Sequence, residues 1–392
     1  MIGRSAIGEQ AALLRHEWQT SPRWAGITRD YSAGDVIRLR GRVAQEHGHA
    51  RRGASRLWGL LHSQNAVAAL GAVPGNAVQL ASAGLQAIYL PGGQAADGNP
   101  AAHADPGQTP YPASPMTQMV RRVNDALLRT DQVGRAGEPG GGIVPAGRRL
   151  APVVADAGGA PDAFELMTAM IEAGAAGVRF EDQLPEDKER GHLQGKVLIP
   201  TGQHIQTLTA ARFAADVLDV PSLVIARTGA RTASLLTSDT DERDHEFLTG
   251  ERTADGLYRV DPGLYASGTR ALAFAPYADL LWMETPAPDL AAARAFACVI
   301  HSQYPGKLLA YSCSPSFNWR AHLDDASAAR FRKELAVMGY RFQVTSPAGF
   351  RALDEPAPRP ARQPAHTDLQ ALAQPHEAEL AVMSPAYTAT LP

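Results

Sequence analysis

The chain has 392 residues, 45% of them hydrophobic and 20% charged, a balance that suits one large barrel or two ordinary domains with a sizeable core. A formal charge of −3, with basic residues scattered and adjacent only in pairs such as Arg51-Arg52, Arg121-Arg122 and Arg148-Arg149, argues against nucleic acid or an anionic membrane as partner. Two cysteines, Cys298 and Cys313, exclude a disulfide framework; with no apolar leader in residues 1–18 and no run of the ~18 apolar residues that a membrane span requires, the sequence reads as a soluble cytoplasmic protein with reduced thiols.

Residues 1–65 read as mostly helical and precede the first strand, so they form an N-terminal extension. The next span, 66–353, alternates short apolar, β-branched runs with longer helical patterns. Strands are expected at 68–71, 87–90, 152–156, 177–181, 222–227, 280–284, 308–312 and 341–345. Runs such as Leu223-Val224-Ile225-Ala226 and Leu280-Leu281-Trp282-Met283 are apolar on both faces, as parallel strands covered on both sides must be. Helices lie between them: Asp162 caps one that Gly174 stops, Pro288-Asp289 opens a second, and Asp324-Asp325 opens a third that Gly339 stops. Eight strand-like runs separated by helices predict an α/β fold of the (β/α)8 TIM-barrel type. Within it, the polar, Gly- and Pro-rich stretch 91–150 reads as a flexible insertion, and 354–392 as a proline-rich linker and irregular tail.

Barrel active sites form at the C-terminal ends of the strands. Those positions hold Pro91-Gly92-Gly93, Asp156, Glu181-Asp182, Arg227, Glu284 and Ser312-Cys313-Ser314. Carboxylates and an arginine converging on one mouth suit a hard divalent cation such as Mg²⁺ holding an anionic substrate. The bland alternatives are that Arg227 is a structural arginine paired with Glu181 or Glu284, that Tyr89 is a core residue, and that Cys313 only packs.

Six segments carry a resemblance. They are FELMTAMIEAGAAGVRFEDQ at 164–183, GKVLIPT at 195–201, IART at 225–228, TSDTDERDHEFLTGER at 237–252, YADLLWMET at 277–285 and LAYSCSPSFNW at 309–319. In order and nearly without gaps, from about Glu17 to Leu353, they are similar to the isocitrate lyase family, within the superfamily that also contains the phosphoenolpyruvate mutases. The resemblance implies a (β/α)8 barrel, a homotetramer, and Mg²⁺-dependent retro-aldol cleavage of isocitrate to glyoxylate and succinate, the first step of the glyoxylate shunt. It assigns the metal to Asp156 directly and to Glu181 and Glu284 through water. Tyr89 and His192 fall at catalytic positions, and Gly92, Gly191, Arg227, Ser314, Ser316 and Ser346 at substrate-binding ones; Trp282 is also retained.

The departures cluster on chemistry. The loop Lys188-Glu189-Arg190-Gly191-His192 has Arg190 where the family's Lys-Lys-Cys-Gly-His places its proton-donating cysteine, and an arginine stays protonated at any working pH. Pro91-Gly92-Gly93 replaces Ser-Gly-Trp, and Asp105-Pro106-Gly107-Gln108 replaces Tyr-Pro-Asp-Gln. Gly158-Gly159-Ala160-Pro161 lacks the acid that follows Asp-Ala in the family, Gly229 replaces an aspartate, Ser312 an asparagine and Ser346 a threonine. The proline-rich linker stands where the family has a barrel helix and a segment exchanged between subunits. Three readings follow: an impaired or altered lyase on a small di- or tricarboxylate, a non-catalytic paralogue that binds a metabolite or an active lyase, or a decaying gene product. Related enzymes without the cysteine, the phosphonopyruvate-forming mutases and oxaloacetate hydrolases, keep an altered substrate open.

Overall fold

The computed structural model describes residues 2–41, 45–71, 77–82, 85–92, 115–136, 150–160, 162–184, 196–313 and 325–345. Eight parallel strands close a barrel: β1 (Val67–Gly71), β2 (Ala87–Leu90), β3 (Val153–Gly158), β4 (Gly177–Glu181), β6 (Leu223–Thr228), β10 (Leu280–Met283), β11 (Leu308–Ser312) and β12 (Tyr340–Thr345). They pair in sequence order, with β12 returning to β1, as the eight predicted runs require. The alternation of side chains puts Tyr89, Val154, Ile225, Leu280, Trp282, Ala310 and Phe342 inside the barrel, while Ile88, Val153, Val178, Val224 and Leu281 face the surrounding helices. Both faces are buried, which is why these strands read as unbroken apolar runs.

Helices α1 (Ile2–Thr20), α2 (Ala33–Leu39) and α3 (Gly48–Leu61) precede the barrel. A capping box starts α2: Ser32 accepts from the Asp35 N–H and the Asp35 carboxylate accepts from the Ser32 N–H. The buried face of α3, with Ala54, Leu57 and Leu61, packs with Val67, Leu223, Leu280 and Leu308 at the strand starts, so this helix floors the barrel. Later helices are α4 (Ala77–Ser82), α5 (Pro115–Ala136), α6 (Ala163–Glu172), α7 (Thr201–Val217), α8 (Leu264–Phe274), α9 (Leu290–Gln303) and α10 (Asp325–Val337). Asp289 caps α9 by accepting from the Ala292 N–H at 2.9 Å. Asp162 occupies the N-cap position of α6 without a side-chain cap bond. After α6, Gly174 turns with φ +95°, where a Cβ would lie 2.6 Å from the Asn124 amide nitrogen.

Two expectations are corrected. The stretch 91–150 contains α5, whose Met116, Val120, Val123 and Leu127 recur at helical spacing and are buried in the outer core, so it is not one unbroken insertion. A second sheet, absent from the predicted elements, joins β5 (Val197–Leu198), β7 (Leu235–Leu236), β9 (Tyr258–Val260) and β8 (Leu248–Arg252) in that order. Its strands of two to five residues are too short to show periodicity. The expected linker and tail, 354–392, lie outside the described residues. Among the described residues, no helix is long and apolar enough to cross a membrane.

Candidate active site

Register builds the mouth. Asp156 on β3 lies opposite Arg179 on β4, Glu181 opposite Arg227 on β6, and Arg227 opposite Trp282 on β10. Residues aligned across parallel strands point to the same side, so carboxylates and guanidinium groups alternate around the barrel interior. Arg179 pairs with Asp156 and donates to Glu181 at 3.1 Å. Arg227 donates to Glu181 at 2.7 Å and pairs with Glu284 at 3.0 Å, and Lys196 also pairs with Glu284. Gln183 donates to Glu181 at 3.1 Å and to Glu284 at 3.3 Å. Arg227 therefore has the pairing that the structural reading expected, with both glutamates, yet its side chain keeps 19% exposure at the opening.

Asp156 is the most tightly held of the acids. One carboxylate oxygen accepts from the Gly158 N–H at 2.9 Å; the other takes Arg179, the Gly92 N–H at 3.1 Å and the Tyr89 hydroxyl at 3.3 Å. Gly92 approaches so closely that a Cβ there would sit 3.3 Å from the Asp156 oxygen. Burial favours the protonated form of Asp156, but the Arg179 charge and the hydrogen bonds from Arg179, Gly158 and Gly92 outweigh it and hold the carboxyl below its ordinary pKa. Glu284 is lowered in the same way, burial being overcome by Arg227 and Lys196. Burial raises the Tyr89 phenol above its usual value, so at neutral pH it is a donor and not a base. Trp282 stands beside the charges, its ring 5.7 Å from the Arg179 guanidinium carbon and 5.8 Å from that of Arg227. Its indole N–H is buried and, among the described residues, has no hydrogen-bond partner.

The structure thus brings Tyr89, Gly92, Asp156, Glu181, Arg227 and Glu284 into one network. Gly191, His192, Ser314, Ser316 and Ser346, with Arg190, lie outside the described residues. Asp182, read at a strand end, belongs elsewhere: it is fully buried and accepts from Arg270 at 2.8 Å, Thr228 at 2.7 Å and the Gly229 N–H at 2.9 Å. Arg270 also binds Asp244 and the Ile199 carbonyl, both at 2.6 Å, fastening the second sheet to the barrel. Cys313 is buried in the outer core, where burial pushes its thiol up to about 12 and disfavours the thiolate. Two mouth residues, Arg179 and Lys196, were not singled out in the sequence. Arg179 carried a signal: on a strand it shares a face with Glu181, two residues on.

The resemblance implies a divalent metal at these acids. Each oxygen of Asp156, Glu181 and Glu284 already accepts from a protein donor, and these three negative charges face three positive ones on Arg179, Arg227 and Lys196. A hard divalent cation is held by anionic oxygens, and here each carboxylate charge is already matched by a neighbouring guanidinium or ammonium group. Among the described residues no three His, Cys, Asp or Glu side chains group as a metal site. As arranged, these residues do not fit the ion.

Comparison with known proteins agrees with the barrel. The sequence profile of the isocitrate lyase family matches residues 11–255 and 250–379. Isocitrate lyase of Mycobacterium tuberculosis (strain H37Rv) is 52% identical over 396 aligned positions, covering 100% of this chain and 91% of that protein. Isocitrate lyase of Escherichia coli K12 is 51% identical over 358 positions, covering 88% and 81%. Among solved structures, oxaloacetate acetylhydrolase in complex with 3,3-difluorooxalacetate superposes with a TM-score of 0.50 at 18% identity, covering 83% of this chain and 95% of that chain, a likeness of fold. With a family profile spanning most of its length and relatives half identical to it, the chain belongs to the isocitrate lyase family.

Proposed function

We propose that the barrel mouth binds a small di- or tricarboxylate, of which isocitrate, glyoxylate and succinate are the family's members, and that retro-aldol cleavage is strongly impaired. The observation carrying the binding half is the connected network of Tyr89, Asp156, Glu181, Arg227 and Glu284 at the strand ends, with Arg227 and Lys196 partly open to an incoming anion. The Trp282 N–H, which no described residue engages, is a further donor suited to a carboxylate oxygen.

Impairment rests on Arg190. Cleavage leaves an aci-carboxylate on the succinate fragment that a positioned acid must protonate, and an arginine there can hold charge but cannot deliver the proton. In this reading His192 and Tyr89 are the remaining candidates for proton transfer, and Gly92, Gly191, Ser314, Ser316 and Ser346 contact substrate. Mg²⁺ enters through the resemblance alone. Cytoplasmic residence, a place in the glyoxylate shunt and a homo-oligomer belong to the same reading.

Glyoxylate formation from isocitrate, assayed on protein free of host lyase beside the Escherichia coli enzyme, should be at least ~10³-fold slower, equivalent to ~4 kcal/mol of lost transition-state stabilisation. Arg190→Cys alone should not restore it, because the positions at Pro91, Gly93, Gly107 and Gly229 remain changed. Turnover near that of the relative would refute the impairment. No turnover together with saturable carboxylate binding would favour the second reading, a non-catalytic paralogue acting by binding a metabolite or an active lyase; Arg190 is the residue that motivates it.

A further inference from the structure

Arg179 is buried on the inner face of β4, between Asp156 and Glu181, two of the three carboxylates to which the resemblance gives the metal. Its two terminal nitrogens are committed, one to Asp156 and the other to Glu181. A guanidinium cannot deprotonate to make way for another cation. A divalent ion at Asp156 would therefore sit against a permanent positive charge, or would have to expel Arg179 from a pocket in which its side chain is only 4% exposed. Around it the charges already balance, three carboxylates against Arg179, Arg227 and Lys196. Exposure separates these cations: the side chains of Arg227 and Lys196 are 19% and 34% exposed, so they can turn toward a ligand while Arg179 stays with the acids.

We infer that Arg179 is a resident cation that takes the place of the divalent metal, so that this mouth binds an anionic ligand without a metal ion. The ligand half rests on the carboxylate reading above; the metal half does not. Mn²⁺, followed by the electron paramagnetic resonance of the free ion, is the probe, with full-length protein throughout. Wild type should leave the free signal unchanged at millimolar Mn²⁺. Arg179→Gln should bind the ion at least about tenfold more tightly than wild type, and Arg179→Gln combined with Asp156→Asn should lose it again. Arg179→Lys, which keeps the charge, should stay silent. Should Arg179→Gln fail to fold, Arg179→Met, which fills similar volume without charge, stands in for it. Mn²⁺ bound by wild type and released by Asp156→Asn overturns the inference whatever the Arg179 variants do, as does an Arg179→Gln or Arg179→Met protein that folds and binds no ion.

A calorimetric titration with succinate separates the two readings. Equal affinity in chelator and in Mg²⁺ supports both. Affinity that requires Mg²⁺ overturns the resident cation. Absence of succinate, glyoxylate and isocitrate binding under both conditions, with the Mn²⁺ results as expected, supports the resident cation and removes the carboxylate reading.

Discussion

The base and the mouth of this barrel use the same chemistry for different ends. At the base, Asp279 is fully buried and accepts from Arg23 at 2.6 Å, from Arg212 and from the Val224 N–H at 2.8 Å, while Arg212 also donates to the Ser222 carbonyl at 3.1 Å. Aromatic rings cover the cluster: the Arg23 guanidinium carbon lies 4.3 Å from the Trp24 ring and 4.1 Å from Trp58. At the mouth the Glu284–Arg227–Lys196 group is partly open, with a neutral amide, Gln183, completing its bonds. A sealed ion pair is costly to break because any partner left behind is charged and dry. A half-open one can exchange a protein partner for a ligand or water. The base is therefore a clamp joining the N-terminal segment to the barrel, and the mouth is where the proposed anion would exchange with a protein partner.

The largest predicted effect tests that contrast at the base. Asp279→Ala leaves Arg212 and Arg23 uncompensated and should destabilise the fold by ~3–5 kcal/mol in urea titration. Glu284→Gln should cost far less stability, under ~1 kcal/mol after allowance for solvent screening, while altering succinate affinity. Equal losses at the two sites would erase the distinction.

Acid sharpens it. Asp279, Asp156 and Glu284 all have folded pKa values below their ordinary ones; in each case burial acts in the opposite direction and neighbouring cations overcome it. A carboxylate lowered on folding contributes stability that is complete above its unfolded pKa and is lost as pH falls through its folded one. Stability should accordingly fall as pH drops below the ordinary carboxylate values of 3.8 for aspartate and 4.5 for glutamate. Asp279→Asn should flatten that decline more than Glu284→Gln. A steeper decline in the asparagine variant would contradict the assignment.

Smaller effects follow from two side chains. A Cβ at Gly229 would lie 1.6 Å from the Gln183 side-chain nitrogen, so Gly229→Ala must push that amide off Glu181 and Glu284. Because the obstacle is the end of a flexible side chain, the change should cost under ~1 kcal/mol, with the mouth carboxylates freed for solvent or ligand. A cost of several kcal/mol would mean that Gln183 cannot move. Smallest of all, a thiol reagent on folded protein should modify exposed Cys298 and spare buried Cys313, giving one reactive thiol until denaturant exposes the second.

Residues alone determined the barrel, because parallel strands buried on both faces leave apolar runs such as 223–226 and 280–283 that few other structures need. They also placed Asp156, Glu181, Arg227 and Glu284 together at one mouth, since strand ends in a barrel converge there. Three features were not read from the residues, and two of them were decided only by tertiary packing. Helix α5 was hidden by the Gly- and Pro-rich segments on either side, although its apolar spacing was present. The second sheet depends on Arg270 joining Asp182, Asp244 and Ile199, residues up to 88 positions apart, and no local pattern encodes such a contact. Arg179 looked like one polar residue inside a strand; only barrel closure, which sets its register against Asp156 and its face with Glu181, turns it into a buried cation between two carboxylates. Sequence fixes which side chains face inward, but the charges they meet there belong to neighbouring strands and exist as a site only when the sheet closes.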